Sequence, residues 1–338
     1  MLKYAPILVF FLAFHSVVNA QKPGSIPMKA MIYNVENLFD TINDPNKDDE
    51  EFLPSAKKNW NSKRYQEKLR HITQVMSTAG FPELVGLCEI ENKGVLNDLV
   101  AMDSLKPFGY QVVHFDSPDE RGVDVGLLIK SNSFKFVSAK SVRVQLPGEN
   151  PRPTRDILYA KLAFKRDTLH VFVNHWPSRR GGEEESEPNR IAAAQTLKHV
   201  SDSLFKVSSD SKILIMGDLN DYPTNKSVKD VLGATPVEAL AKRTGFINLV
   251  APLMEKGEGS EYYQGKWTML INVISSTSLV KSVRGLRIGT AGILKKDFLL
   301  YKNEKKGTEE PNRTYGGDRY YGGYSDHLPV LVDLQWNK

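Results

Sequence analysis

Hydrophobic and polar positions follow two different periods along this chain. Residues 28–33 form a short apolar run that ends in polar residues, which is typical of a buried strand with functional side chains at its C-terminal end. Between residues 62 and 80 apolar residues recur at helical spacing, and a glycine and a proline then supply a stop signal. Residues 84–90 are again apolar and carry Glu89 near their end. The pattern predicts a strand, a helix and a second strand.

Further runs of the same kind predict six more strands and one more helix. The predicted strands cover residues 110–115, 123–130, 157–164, 168–174, 212–216 and 328–334, and a second predicted helix covers residues 189–204. The acidic stretches at residues 43–51 and 183–187 are predicted to be solvated loops. Because there are many neighbouring strands and few helices, we expect residues 21–338 to form one domain, in which outer helices cover two packed sheets.

The first 20 residues differ from the rest of the chain. One basic residue, Lys3, precedes an apolar run, and small residues follow as far as Ala20. This is the pattern of a secretory signal peptide, and the run is shorter than the ~20 apolar residues of a membrane-spanning helix. We therefore expect residues 1–20 to be removed and the remaining chain to be exported to the periplasm or secreted, without a membrane span.

Composition narrows the function only slightly. A hydrophobic content of 41% and a charged content of 25% exclude a disordered chain, and 45 basic residues against 40 acidic ones exclude a polycation. The formal net charge of +5 permits a nucleic-acid partner without nominating one. Since Cys88 is the only cysteine, no internal disulfide can form.

Residues suited to metal and phosphate chemistry gather at the predicted strand ends. They are oxygen ligands, amides or imidazoles: Asn34, Glu36, Glu89, Asn174, His175, Asp218, Asn220, Asp326 and His327. Carboxylates without thiolates select a hard cation, so we expect Mg²⁺, with Mn²⁺ or Ca²⁺ as alternatives. Because Mg²⁺ takes few protein carboxylates, such a site leaves room for a phosphate oxygen.

Five segments in this order resemble the motifs of the endonuclease/exonuclease/phosphatase superfamily, and in particular an exported bacterial branch of it. The segments are Tyr33-Asn34-Val35-Glu36-Asn37-Leu38, Leu87-Cys88-Glu89, Val173-Asn174-His175-Trp176-Pro177, Met216-Gly217-Asp218-Leu219-Asn220 and Tyr324-Ser325-Asp326-His327-Leu328-Pro329. The resemblance implies an α+β fold of the deoxyribonuclease I type, a four-layer α/β/β/α sandwich of two mostly antiparallel sheets flanked by helices. It also implies a metal-dependent phosphoesterase with its site at one rim.

The resemblance implies a metal site and a substrate site made of different residues. Glu89 is implied as the principal metal ligand, with Asn34 and Glu36 beside it, and Asp326 is implied as a further acidic contact at the metal and among the catalytic residues. Asn174 is implied as a ligand of the substrate.

The resemblance also implies catalytic roles. Asp218 and Asn220 are implied to orient the attacking water and to hold the scissile phosphate. His175 is implied to stabilise the transition state or to protonate the leaving oxygen. His327 is implied to act as general base or as a charged clamp on the phosphate, and an imidazole suits either role because its pKa lies near working pH.

Two arginines are further candidates for binding the substrate. Arg155 stands at the entry to a predicted strand and has the bidentate geometry that suits phosphate, although a salt bridge with Asp156 or a loop acid is an equal alternative. Arg179 follows His175 closely and is positioned in sequence to contact a flanking phosphate, next to the acidic residues 183–187.

One position departs from the superfamily pattern. Ile271 stands where the resemblance implies an aspartate that orients His327, and the adjacent Asn272 points to the opposite face of a regular strand. Loss of that carboxylate is expected to reduce activity.

Three functions remain open from the sequence. We expect a metal-dependent phosphodiesterase, most specifically an endonuclease with nucleic acid as substrate. The alternatives are a phosphoesterase for a phosphorylated lipid or sugar, and a catalytically weakened binding protein. We expect a monomer.

Overall fold

The computed structural model describes residues 25–236, 245–305 and 307–338, and the predicted signal peptide at residues 1–20 lies outside them. In chain order the described strands are β1 (Ile26–Leu38), β2 (Leu84–Ile90), β3 (Tyr110–His114), β4 (Asp124–Lys130), β5 (Lys135–Val142), β6 (Ile157–Phe164), β7 (Asp167–His175), β8 (Lys212–Asp218), β9 (Ala234–Thr235), β10 (Phe246–Asn248), β11 (Glu261–Tyr263), β12 (Lys266–Thr268), β13 (Ile271–Ser276), β14 (Gly285–Ile293), β15 (Leu300–Asn303), β16 (Thr308–Pro311), β17 (Tyr315–Gly316), β18 (Arg319–Tyr320) and β19 (Val330–Asn337). The described α-helices are α1 (Ser62–Thr78), α2 (Lys93–Val100), α3 (Glu183–Val207), α4 (Ala251–Glu255) and α5 (Thr277–Val280).

Two large sheets carry the fold. Sheet A has the strand order β14-β19-β1-β2-β4-β3, and sheet B has the order β5-β6-β7-β8-β13-β10-β9. Within sheet A only β1 and β2 pair in parallel, and within sheet B only the pairs β7/β8 and β9/β10 do so. The mostly antiparallel pairing confirms the prediction from the sequence.

The main core lies between the two sheets. On β1 the alternate residues Met28, Ala30 and Ile32 point into it, and from β7 they meet Val171 and Val173. Side chains alternate between the faces of a strand, so the intervening residues must be covered on the other side of each sheet. This alternation fixes which residues reach the rim between the sheets.

Helices cover both outer faces. Helices α1 and α2 pack against the outer face of sheet A, where Met31 and Tyr33 of β1 contribute to the apolar cluster. On the opposite side Phe172 of β7 packs against Ala193 and Leu197 of α3. The order of layers is therefore helices, sheet A, sheet B and helix, which confirms the predicted four-layer α/β/β/α sandwich. In the described part of the chain no helix is long and apolar enough to cross a membrane.

One predicted boundary is wrong. Residues 183–187, predicted as a solvated loop, form the first turn of α3, which begins at Glu183 rather than at residue 189. The helix N-terminus carries a partial positive charge, so the three glutamates of the first turn stabilise the helix start. The sequence pattern also predicts neither α2 nor the edge strands β5 and β14, and β5 has no buried residue.

Candidate active site

Sheet B presents a row of three neighbouring side chains at its rim. His175 of β7 is the register partner of Asp218 on β8, and Asp218 is in turn the partner of Ile271 on β13. All three lie on the face that Val173 and Met216 direct into the inter-sheet core. The predicted neighbours His175 and Asp218 therefore stand side by side, facing sheet A.

Sheet A supplies Asn34 and Glu89 across the gap. The pairing of β2 shifts register between Cys88 and Ile90, and Glu89 in this bulge has a positive φ of 64°. Bulges re-aim side chains. The carboxylate of Glu89 accepts hydrogen bonds from the Asn37 backbone N–H at 3.0 Å and from Asn34 Nδ2 at 3.2 Å.

Asn34 joins the two sheets. Its Nδ2 also donates to Asp218 Oδ2 at 3.0 Å, while its Oδ1 accepts from the Glu36 backbone N–H at 3.0 Å. In this orientation the amide lies between the carboxylates of Asp218 and Glu89. Asn34 therefore holds the two carboxylates close together through its amide, and its role as a direct metal ligand stays a prediction.

Carboxylates surround His327, which precedes β19. Its Nε2 lies 3.6 Å from Asp218 Oδ2, 3.8 Å from Glu261 Oε2 and 3.9 Å from Asp326 Oδ1. Burial lowers the pKa of this imidazole, but the charges of Asp326, Asp218 and Glu261 outweigh burial and raise the pKa to about 9. His327 is therefore an imidazolium cation at neutral pH.

His175 has the opposite surroundings. Burial lowers its pKa well below the ordinary value, and the positive charges of Arg155, Arg121 and His327 lower it further. Its Nδ1 is buried and has no hydrogen-bond partner among the described residues. His175 is a neutral imidazole at neutral pH, so one rim holds two histidines in different protonation states.

Residue 271 departs from the implied pattern: His327 Nδ1 has no hydrogen-bond partner among the described residues, and a carboxylate from another strand lies near Nε2. Ile271 is fully buried in the inter-sheet core, and the Nδ2 of Asn272 donates to backbone oxygens on the other face of β13. In place of the aspartate that the resemblance implies, Glu261 of β11 approaches His327 from outside sheet B. The backbones of the two residues form an antiparallel bridge, and Thr268 Oγ1 donates to Glu261 Oε1 at 2.5 Å.

Glu261 could not be predicted as a site residue because it lies outside the apolar runs that predict strands and helices. The short β11–β12 hairpin places Glu261 beside His327, and the residues next to either one in sequence do not indicate this contact.

Glu36 lies below the rim and not at the metal position predicted for it. Its two carboxylate oxygens accept from the backbone N–H groups of Thr314 and Tyr315, at 2.6 and 3.0 Å. The buried Lys68 Nζ donates to Thr314 Oγ1 at 2.6 Å and to the Tyr324 carbonyl at 2.8 Å, and burial lowers its pKa to about 8. Glu36 therefore holds the tyrosine-rich loop. The sequence could have indicated that Lys68 is buried, since it is a charged residue on the apolar face of α1.

Arg155 is a buried internal residue. Its Nη1 contacts Asp119 Oδ2 at 3.0 Å, and its other two nitrogens donate to the carbonyls of His175 and Trp176, at 3.2 and 2.7 Å. These contacts revise the hypothesis of a phosphate ligand and agree with its alternative, an ion pair with a loop acid. The acid is Asp119 rather than Asp156. Arg155 positions the backbone of His175.

Asn174 and Arg179 also have internal partners. Asn174 lies on the outer face of sheet B, where its Oδ1 accepts from Trp176 Nε1 at 3.1 Å. Arg179 donates to the Asn220 carbonyl at 2.8 Å and contacts Asp221 and Glu183 at 3.3 and 2.8 Å. These contacts hold the turns around the site, and the roles of Asn174 and Arg179 in binding the substrate stay predictions.

Asn220 lies beside Asp218, and its roles in orienting the water and holding the phosphate stay predictions. Its backbone N–H donates to Asp218 Oδ1 at 2.9 Å, and its Nδ2 donates to the Trp176 carbonyl at 2.9 Å. The positive φ of 51° is a conformation that asparagine tolerates better than most residues. This turn fixes the Asp218 carboxylate at the rim.

The donor set fits a hard divalent cation. Glu89 and Asp218 offer carboxylate oxygens that Asn34 brings together, and Asp326 is a half-exposed carboxylate nearby. The one thiol, Cys88, is buried and donates to the Asn174 carbonyl at 3.3 Å. Oxygen donors of this kind suit Mg²⁺, Mn²⁺ or Ca²⁺, and Glu89 is the residue best placed to hold one.

A four-layer sandwich with carboxylates and imidazoles meeting at one rim defines the class of metal-dependent phosphoesterases. The profile of the endonuclease/exonuclease/phosphatase family matches residues 29–336, so the chain belongs to that family. Its members are hydrolytic phosphoesterases that generally use divalent metal ions, commonly Mg²⁺.

Three solved structures are similar in fold at low sequence identity. A family protein from Bacteroides thetaiotaomicron is 14% identical with a TM-score of 0.57, covering 93% of this chain and 99% of that chain. D. rerio TDP2 complexed with a single-strand DNA product is 13% identical with a TM-score of 0.55, covering 91% and 98%. A mannosyl-6-phosphatase from Bacteroides thetaiotaomicron is 14% identical with a TM-score of 0.56, covering 91% and 99%. No curated protein matches the sequence.

Proposed function

We propose that the protein is a divalent-metal-dependent phosphodiesterase and, most specifically, an endonuclease. One observation carries the proposal: residues of both sheets bring two carboxylates, Glu89 and Asp218, and two imidazoles, His175 and His327, to a single rim. In-line attack of water on a phosphodiester requires a proton acceptor, hydrogen bonds to the leaving group and positive charge around the phosphate, and these groups can supply each.

The charge of each residue at the rim indicates its proposed role in catalysis. Asp218, fixed by Asn220 and Asn34, orients the attacking water and takes its proton. His327, an imidazolium at neutral pH, pairs with the negative phosphate oxygens, which selects the clamp role over that of a base. Neutral His175 donates a hydrogen bond to the charge that develops in the transition state, as neutral imidazoles do in other enzymes. Glu89 would hold the divalent cation, which would supply Lewis acidity to the reaction.

Glu261 completes the site as a positioning residue. Its side chain is 19% exposed and places Oε2 3.8 Å from His327 Nε2, and a backbone bridge joins the two residues. We propose that Glu261 takes the place of the aspartate missing at residue 271 and orients the imidazolium. This proposal favours an active enzyme over a weakened binding protein.

Nucleic acid is the proposed substrate class. Arg121 and Arg313 are partly exposed cations near the site, and Tyr321 has an exposed ring able to stack on a base. The similar fold of a protein bound to single-strand DNA product supports the same class.

A compact phosphate ester is the second candidate. The rim cations are matched by acids, Arg121 by Asp119 and Arg313 by Asp326, whereas a long polyanion requires uncompensated positive charge along a track. The similar fold of a mannosyl-6-phosphatase points the same way. For either substrate we propose export, on the strength of the signal pattern at residues 1–20.

A substrate panel with one inactive variant tests the proposal. Purified protein with Mg²⁺ or Mn²⁺ is assayed on plasmid DNA, single-stranded DNA, RNA, sphingomyelin, mannose 6-phosphate and bis-nitrophenyl phosphate. We expect cleavage of nucleic acid and of bis-nitrophenyl phosphate, and a loss of at least about 10³-fold in Glu89→Ala, because a metal contributes several kcal/mol to such reactions. Turnover of only mannose 6-phosphate selects the second candidate. No metal-dependent hydrolysis by folded protein refutes both.

A further inference from the structure

A second group of metal-binding side chains lies away from the active site, where β3 ends and β4 begins. His114, Asp116 and Asp124 each place one donor atom within 4.8 Å of the other two. β3 is the edge strand of sheet A and is separated from β2 by β4, which puts His114 roughly 10 Å from the strand that carries Glu89. The three residues belong to none of the motifs at the active site.

His114 and Asp124 face the helical layer and not the inter-sheet core. Their strand neighbours Val113 and Val125 point into that core, so the two polar side chains point to the other face. The side chains of His114 and Asp124 are only 2% and 3% exposed. Two ionisable groups are thus buried together in an otherwise apolar layer, which is costly without a further partner.

The distance between them fits a shared ligand better than a direct hydrogen bond. His114 Nε2 lies 3.4 Å from Asp124 Oδ2 and has no hydrogen-bond partner among the described residues. Protein N–H···O bonds are about 2.7–3.2 Å long. Two ligands of a tetrahedral metal with bonds of about 2.0–2.1 Å are separated by about 3.4 Å.

The surrounding loop holds the carboxylate in the required orientation. The Ser117 backbone N–H donates to Asp124 Oδ1 at 3.0 Å, which leaves Oδ2 for His114. The Ser117 hydroxyl is buried and also has no partner in the described part of the chain. The buried His114 Nε2, which faces the Asp124 carboxylate, is therefore free to act as a metal ligand.

We propose that His114, Asp116 and Asp124 bind a first-row transition-metal ion of the Zn²⁺ type. An imidazole with two carboxylates suits Zn²⁺, whereas the active site offers the oxygen donors that suit Mg²⁺. Asp116 is the exposed third donor: its Oδ1 lies 3.9 Å from His114 Nδ1, on the side of the ring away from the nitrogen that faces Asp124, and within the 4.8 Å that spans the group.

The ion has a structural consequence for the active site. His114 and Asp124 flank the loop formed by residues 115–123, Asp116 lies within it, and the same loop carries Asp119, the partner of Arg155. Arg155 in turn holds the backbone of His175. A bound ion therefore fastens the loop on which the position of His175 depends.

Zinc titration of tag-free, chelator-treated protein in excess Mg²⁺ tests the proposal without an activity readout. Isothermal titration calorimetry is expected to give one Zn²⁺ per chain for the wild type and for Glu89→Ala, and the melting temperature of both is expected to rise with Zn²⁺. His114→Ala and Asp124→Asn are expected to bind on the order of 100-fold more weakly. His199→Ala, which changes an exposed histidine of α3, is the matched control and is expected to bind as the wild type does.

The outcomes separate this site from the active site. If His114→Ala fails to fold by circular dichroism, the exposed Asp116→Ala replaces it and is expected to bind at least tenfold more weakly. Binding that is lost in Glu89→Ala and kept in His114→Ala assigns the ion to the active site and overturns the proposal. Absence of any zinc binding by the wild type overturns it as well.

Discussion

The two sheets deliver one histidine each to the same rim, and the two imidazoles carry different charges. Around His175, supplied by sheet B, the nearby side chains are the cations Arg155 and Arg121, and the imidazole is neutral. Around His327, which leads into sheet A, the neighbours are Asp218, Asp326 and Glu261, and the imidazole is protonated. Residue type alone therefore does not determine a catalytic role, because the charges within a few ångströms decide which state is present.

Replacing each histidine by glutamine is the sharpest way to break this comparison. We expect kcat/KM to fall about 10²–10⁴-fold in both His327→Gln and His175→Gln. The raised pKa keeps His327 protonated through neutral pH, and the charge is lost as pH rises through about 9. Wild type and His175→Gln are therefore expected to lose activity above about pH 9, whereas His327→Gln keeps no such step. An alkaline step that survives in His327→Gln contradicts the assignment.

Removing the buried cation beside His175 is expected to have the next largest effect. Arg155→Met leaves Asp119 buried without its main partner, and breaking such a pair costs about 3–5 kcal/mol of unfolding free energy. Arg121 stays 3.5 Å from Asp119, so the lower end is expected. The control is Arg152→Met, whose ion pair with Glu120 is exposed, so a much smaller loss is expected. Urea denaturation measures both, and equal losses would show that burial is not the cause.

Neutralising Glu261 tests the carboxylate side of the comparison. Glu261→Gln is expected to reduce kcat/KM about 10–100-fold, as loss of other orienting partners does, and to move the alkaline step to lower pH because one charge that raises the pKa of His327 is gone. The matched control is Glu258→Gln, an exposed change three residues earlier. A pH profile that is identical in Glu261→Gln and wild type would remove Glu261 from the site.

The smallest expected effect lies outside the rim, at His170. Burial lowers the pKa of this imidazole to about 4, so the unfolded chain binds more protons between pH 4 and 6.5 and the folded state loses stability as pH falls through that range. After discounting for its partial exposure, we expect about 1 kcal/mol. Thermal melts of His170→Gln should show a shallower acid decline than wild type. An unchanged decline would mean that other groups dominate it.

The sequence predicts most of the architecture because the apolar runs are long and regular. The strands at β2 and β6 fall on the predicted residues, and the helix at α1 begins where its apolar stripe begins. The first turn of α3 could not be predicted, because glutamates stabilise it through the helix dipole and carry no apolar period. The edge strand β5 could not be predicted for a related reason: it buries no residue, so its sequence shows no alternation of apolar and polar residues.

Site residues divide in the same way. His175, Asp218 and His327 were predictable, since they end or precede buried strands that a sheet aligns at one rim. The partners of Arg155 and Glu36 were not, because each depends on a loop distant in sequence, near Asp119 in one case and Thr314 in the other. Local pattern identifies a polar residue at a strand end, but only the packing of loops decides whether it faces the substrate or the protein.

The hydrogen bonds of Asn34 make the geometry of the candidate site depend on how the two sheets are aligned. One amide nitrogen reaches Glu89 on sheet A and Asp218 on sheet B, so any sliding of one sheet over the other lengthens a contact that catalysis uses. Apolar packing between the sheets tolerates small shifts, whereas a hydrogen bond weakens steeply with distance and angle. Mild denaturant, or a core substitution far from the rim, is therefore expected to lower turnover before it changes secondary structure.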